Sequence, residues 1–148
     1  MKMMKKTEKP TLQEFHIDGV KHISPPDAME AVANHKAVII DVREEAELKT
    51  EGIALDNVLF HPMSVIMDRL QYISKDQNII LACPGGVRST KVANLLNIQG
   101  YPSVANLDGG FMMWKLHGLP FRNNQKVSSG CGCGCSAASP NENSGSCC

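Results

Sequence analysis

Apolar residues along the chain fall into two kinds of run. Ala37, Val38, Ile39 and Ile40 follow one another without a polar break, and Asn78, Ile79, Ile80, Leu81 and Ala82 repeat that signature. Short uninterrupted runs of this kind suit strands covered on both faces, as in a parallel sheet. Val58 to Phe60 predicts a shorter strand between them, and Val104 to Leu107 a further one. The intervening stretches follow helix spacing. Ser24 ahead of Pro25, Pro26 and Asp27 reads as an N-cap with prolines in the first turn. The helix it opens is expected to bury Ala28, Met29 and Val32 and to end near His35. Ile66, Arg69, Leu70 and Ile73 predict a second helix. Val92, Leu95 and Leu96 mark the face of a third, with Gly100 at its left-handed C-terminal turn. A last short helix follows Gly109 and Gly110, carries Phe111, Trp114 and Leu116, and stops by Gly118 and Pro120. Alternation of this sort predicts an α/β domain, a central mostly parallel five-stranded sheet with helices on both faces.

Composition divides the chain into three. Residues 1–19 form an N-terminal extension, whose four lysines before Pro10 read as a frayed, solvated start. Residues 20–122 carry the periodic pattern of a domain, and residues 123–148 a Gly/Ser/Cys-rich tail with too little apolar bulk to seed a core, hence expected to be disordered. Fifteen basic side chains balance fifteen acidic ones, so nothing offers the basic excess that holds a phosphate backbone. Aromatic residues at 5% leave little for stacking on bases. No apolar run approaches the length of a membrane span, and no apolar segment follows the first lysines as a secretory signal would. The expectation is a cytoplasmic protein with no nucleic-acid and no membrane partner.

The six cysteines carry the first chemical signal. Cys83 stands alone in the body of the chain, whereas Cys131, Cys133, Cys135, Cys147 and Cys148 crowd the end, so no disulfide framework staples the domain. In a parallel α/β sheet, ligands bind beyond the carboxyl ends of strands. Cys83 falls there, at the start of Cys83, Pro84, Gly85, Gly86, Val87, Arg88, Ser89, between a buried strand and a predicted helix. Adjacent glycines let successive N–H groups turn inward, and the helix adds its positive end. That cradle, with Arg88 beside it, favours a nucleophilic thiolate.

These residues bring the chain close to a known family: it resembles the rhodanese-like sulfurtransferases. Val38 to Arg43, with Glu44, Glu45 and Glu47 after it, is similar to the family's strand ending in Asp-Val-Arg and its acidic helix start. Cys83 to Ser89 resembles the active-site loop, and Leu107, Asp108, Gly109, Gly110, Phe111 with Trp114 resembles the closing motif. The resemblance implies a rhodanese-like fold and catalysis by Cys83, which would take sulfane sulfur from a small donor such as thiosulfate or a persulfide. It would hold that sulfur as its own persulfide and pass it to a thiol or other thiophilic acceptor, with no cofactor required. Gly85, Gly86, Val87, Arg88 and Ser89 would bind the anion, and Asp41 and Arg43 would support the active-site end by pairing. Pro84 has no N–H, so donors must come from Gly85 onward. Only four residues separate Cys83 from Arg88, a loop better sized for one sulfur atom than for the phosphoryl group of a Cys-dependent phosphatase.

Other residues read more plainly. His61 is a loop histidine at a strand end with a minor claim to the pocket, and Phe111 and Trp114 are core anchors. In the tail, Cys131, Cys133 and Cys135 alternate with glycine, a pattern that projects thiols to one side of an extended chain. Together with Cys147 and Cys148 they are candidates for a thiophilic metal, for relaying sulfur, or for neither. The competing functional reading is therefore a thiol-rich metal-handling or sulfur-relay protein whose domain is only a binding module.

Overall fold

The computed structural model describes residues 5–123. Five strands form the central sheet: β1 Lys21–Ile23, β2 Val38–Asp41, β4 Val58–Phe60, β5 Ile79–Ala82 and β6 Val104–Leu107. They lie in the order β1, β6, β5, β2, β4, and every ladder is parallel. The continuous apolar runs are strands at the middle of this sheet because both of its faces are covered. Alternate residues feed opposite layers. Ile39 and Ile80 join α1 (Pro25–Ala33) and α4 (Gly110–Leu116) in a core that includes Val32, Phe111 and Trp114. Ile40, Ile79 and Leu81 meet α3 (Val87–Ile98) through Val92 and Leu96 on the other face, together with Ile66 and Cys83.

Local signals account for most helix boundaries. Ser24 Oγ accepts from Asp27 N, and Pro25 and Pro26 occupy the first helical positions of α1. The left-handed His35, at φ 57°, ends that turn. Two expectations shift. The Ile66–Tyr72 segment is a 3-10 helix, with the carbonyls of Leu70 and Ile73 taken by the Tyr101 hydroxyl. Leu116, expected on the buried face of α4, is 75% exposed, because α4 ends within a residue of it and the core is filled by Phe111 and Trp114.

A second, two-stranded antiparallel sheet pairs β3 (Glu51–Ile53) with β7 (Phe121–Asn123), in the register Glu51 with Asn123. Pairing therefore runs one residue past the expected tail boundary at 123. The cysteines at 131, 133, 135, 147 and 148 lie outside the described residues.

Part of the N-terminal extension is docked against the domain. Thr7 bridges His22, and Asp108 accepts from Thr11 N, Thr11 Oγ1 and Leu12 N at 2.7, 3.1 and 3.0 Å. Side-chain and backbone hydrogen bonds hold a segment whose composition suggests no packing at all.

Candidate active site

Two loops converge at the carboxyl end of the sheet. The first leaves β5 at Ala82 and passes through Cys83 to α3; the second leaves β6 at Leu107 and passes through Gly109 into α4. Gly86 takes the left-handed region at φ 95° as the residue capping α3. That turn aims two backbone amides at one atom: Cys83 Sγ accepts from Gly86 N at 3.0 Å and Ser89 N at 3.3 Å. Ser89 Oγ lies 3.2 Å from the same sulfur. Because Gly86 caps α3 and Ser89 belongs to its first turn, the sulfur sits where the helix presents unpaired N–H groups and its positive end. Cys83 is an unpaired thiol and only 1% exposed, so these donors surround it in a dry setting that strengthens them.

The second loop fixes the first from beneath. Phe111 N donates to Cys83 O at 2.8 Å, and Met112 N donates to Pro84 O at 3.0 Å. The opening amides of α4 thus take up the carbonyls of the Cys83 turn, leaving its N–H groups free to face the sulfur. Gly110 makes this approach possible. A Cβ there would stand 2.5 Å from Cys83 O, 2.6 Å from Pro84 O and 2.8 Å from Gly86 N.

The anticipated site residues are placed as follows. Gly86 and Ser89 are buried donors to Cys83 Sγ, while Gly85 and Val87 are exposed on the rim of the loop. Arg88, expected beside the sulfur, also has an anionic partner. Its guanidinium grips Glu47 in bidentate fashion, Nη1 to Oε2 at 2.9 Å and Nη2 to Oε1 at 2.7 Å. Glu47 is in turn held below the usual carboxylate range, at about 2, chiefly by Arg88. Arg88 is shifted upward, mainly by its bond to Glu47 and in smaller part by Cys83. An acidic residue on α2 (Glu45–Leu48) therefore shares the charge beside the Cys83 loop, a partner that chain order did not announce.

Asp41 and Arg43 form a buried pair at the end of β2. Arg43 Nε lies 3.0 and 3.1 Å from the two Asp41 oxygens, and Nη2 lies 2.8 Å from Oδ2. The same Nη2 reaches Glu51 O at 2.9 Å, and the guanidinium carbon stands 4.8 Å above the Phe111 ring. β2, β3 and α4 are tied together by this one side chain. The His61 backbone N–H donates to Asp41 O, and its Nδ1 is buried without a hydrogen-bond partner. Among the described residues no cluster of His, Cys, Asp or Glu could hold a metal ion.

Sequence reasoning passed over Asn106 and Gln13. Asn106 is fully buried, its Oδ1 facing the Ser89 hydroxyl and its Nδ2 shared between His22 Nδ1 and Gln13 Oε1, each at 3.0 Å. A polar residue inside the apolar run Val104 to Leu107 was the available signal.

Against known proteins, the Rhodanese-like domain family model matches residues 24–117. A protein named sulfurtransferase from Allochromatium vinosum is 39% identical over 83 residues, which are 56% of this chain and 76% of that protein. Thiosulfate sulfurtransferase GlpE of Coxiella burnetii is 35% identical over 97 residues, covering 66% and 89% of the two chains. Among solved structures, a rhodanese-related protein from Thermoplasma volcanium superposes with a TM-score of 0.62 at 26% identity, covering 68% of this chain and 96% of that one. A rhodanese-like domain protein from Staphylococcus aureus gives 0.57 at 31% identity, over 63% and 89%.

Proposed function

The chain belongs to the rhodanese-like domain family and is a rhodanese-class sulfurtransferase; within that class we propose that Cys83 carries sulfane sulfur as a persulfide and hands it to a thiophilic acceptor. The observation that carries this reading is the convergence of two backbone donors, Gly86 N and Ser89 N, on Cys83 Sγ. These donors stabilise negative charge on sulfur, both on the attacking thiolate and on the leaving thiolate of the return step.

With thiosulfate as donor, the Cys83 thiolate attacks the sulfane sulfur. A new S–S bond forms, the old one breaks, and its electron pair departs with sulfite. The acceptor, a thiolate or cyanide, then attacks the outer sulfur of the persulfide, and Cys83 leaves as thiolate with the bonding pair. Both steps are displacements at sulfur, and the cycle as proposed uses no cofactor. Burial of Cys83 favours donors that present a slim terminal sulfur over those with a bulky reacting group.

Arg43, Glu47, Glu51 and Pro84 line a cleft of about 320 Å³ between α2 and α4, and Arg88 joins its edge through the pair with Glu47. We propose that the sulfur donor approaches through this cleft, which Pro84 borders next to Cys83. The cytoplasm is the setting we propose, since it keeps a lone thiol reduced. No helix among the described residues is long and apolar enough to cross a membrane.

The test is thiocyanate formation from thiosulfate and cyanide, together with an adduct of about 32 Da, one sulfur, on Cys83 after donor alone. Loss of both in Cys83→Ser supports the reading, and equal turnover in that variant refutes it. Truncation after Val127 separates it from the metal-handling or sulfur-relay alternative. An enzyme carried by Cys83 keeps its turnover, whereas a protein working through the thiols of the tail does not.

A further inference from the structure

The matched family region begins at residue 24, yet a side chain from well ahead of it sits between the two loops of the site. Gln13 Oε1 accepts from Asn106 Nδ2 at 3.0 Å and from Gly109 N at 2.9 Å. Its Nε2 lies 2.8 Å from Phe15 O, 3.1 Å from Thr90 Oγ1 and 3.3 Å from Gly86 O. One amide thus spans the turn before α3 and the turn before α4. The fit is close, since a Cβ on Gly86 would come within 1.8 Å of Gln13 Oε1.

Two of these contacts lead to donors on Cys83. Gly86, whose carbonyl Gln13 approaches, sends its own N–H to Sγ. Asn106 has its Nδ2 hydrogens committed to Gln13 Oε1 and His22 Nδ1, which leaves Oδ1 to face Ser89 Oγ. Ser89 is the second residue in contact with the sulfur. The Gln13 backbone is pinned independently, because Asp108 holds the two preceding residues through Thr11 N and Leu12 N. A network of this kind, with Asn106, Ser89 and Gly86 buried and Gln13 half-buried, fixes geometry tightly, and loss of one member frees the rest.

We propose that Gln13 is a positioning residue for sulfur transfer: its amide holds Gly86 and, through Asn106, Ser89 at the distances from Cys83 Sγ that the attacking and leaving sulfur requires. The inference rests on Cys83 being the sulfur carrier. It also assigns the segment ahead of β1 a part in the chemistry.

The experiment uses the full chain carrying Gln13→Met, which keeps length and removes hydrogen bonding, or Gln13→Glu, which sets a carboxylate against the Gly86 and Phe15 carbonyls. Thiosulfate:cyanide turnover and the rate of Cys83 alkylation by iodoacetamide at fixed pH are measured, both normalised to the folded fraction from near-ultraviolet circular dichroism. In both variants kcat is expected to fall about tenfold with KM for thiosulfate changed less than about twofold, the pattern for a transition-state contact. The alkylation rate is expected to fall in parallel. Thr7→Val, in the same segment but away from the loop, keeps the parent kcat.

Normalised kcat and alkylation within about twofold of the parent in both Gln13 variants would overturn the proposal. So would an equal loss in Thr7→Val, which would reduce Gln13 to one part of a general docking contact. Failure of the carrier reading is distinguishable: it appears as turnover surviving Cys83→Ser, while alkylation still reports whether Gln13 governs the sulfur's surroundings.

Discussion

The Glu47 carboxylate takes both terminal nitrogens of Arg88, and its Oε2 also accepts from Glu44 N at 3.1 Å. Arg88 therefore faces the sulfur loop with much of its charge already balanced. Glu47→Gln removes the balancing charge and leaves an oxygen for one of the two bonds. The expected result is a KM for thiosulfate lowered about two- to fivefold, the scale of one half-exposed charge, with kcat little changed. Arg88→Ala moves KM the other way. Steady-state kinetics over a range of thiosulfate concentrations decides between this and a purely structural pair, for which Glu47→Gln would leave KM where it was.

Asp41 and Arg43 behave differently because both are buried, at 1% and 3% exposure. Asp41→Ala leaves a guanidinium in the interior with one remaining carbonyl partner, Glu51 O. Breaking a buried pair from one side costs about 3–5 kcal/mol. Urea unfolding followed by circular dichroism should show a lower midpoint, and turnover should be lost only with the folded state. A variant of unchanged stability would mean that the pair contributes nothing net.

Gly110 adopts φ 69° with the Cys83, Pro84 and Gly86 backbones close around it. Gly110→Ala combines left-handed strain with contacts that flexible side chains cannot relieve, for about 2 kcal/mol or more of lost stability. It also displaces the donor Gly86 N. Turnover is expected to fall further than the folded fraction does, as read from kcat at a temperature where the variant is fully folded.

Acid sensitivity has two sources with the same sign. His22 and His61 are both pushed below the ordinary 6.5, chiefly by burial. Below that value the unfolded chain binds protons that the folded one resists, so their stabilising effect is complete above pH 6.5 and is lost as the pH falls below it. The urea midpoint should drop between about pH 7.5 and pH 5.5, and His22→Gln, which takes up no proton, should narrow that gap. Glu47 acts lower down. Its contribution is present above 4.5 and disappears as the pH falls through about 2. More than a third of this side chain is exposed, so the contribution is below about 1 kcal/mol.

The central sheet and the placement of Cys83 were legible because each is encoded locally. Val38 to Asp41 and Ile79 to Ala82 carry the unbroken apolar run of a doubly covered strand. Cys83 is marked by its place between strand and helix and by the glycines after it. What escaped depends on pairs remote in the chain. β3 and β7 are three residues each and show no periodicity apart; only their meeting, some seventy positions apart, makes them strands. Arg88 has many acids to choose from, and the preference for Glu47 arises from the capped turn of α2 that aims it. The polar stretch Thr7 to Phe15 is the clearest case. Its stability lies in hydrogen bonds to Asp108, Gly86 and Asn106 rather than in apolar burial, and hydrophobic patterning is blind to those.

The antiparallel pairing of β7 with β3 fixes Asn123 near the cleft. Asn123 stands in register with Glu51, and Glu51 lines the same cleft as Arg43 and Pro84. A fluorophore attached at position 123 would consequently stand beside that cleft rather than behind the sheet. A label at that position will compete with incoming molecules unless a spacer leads it away.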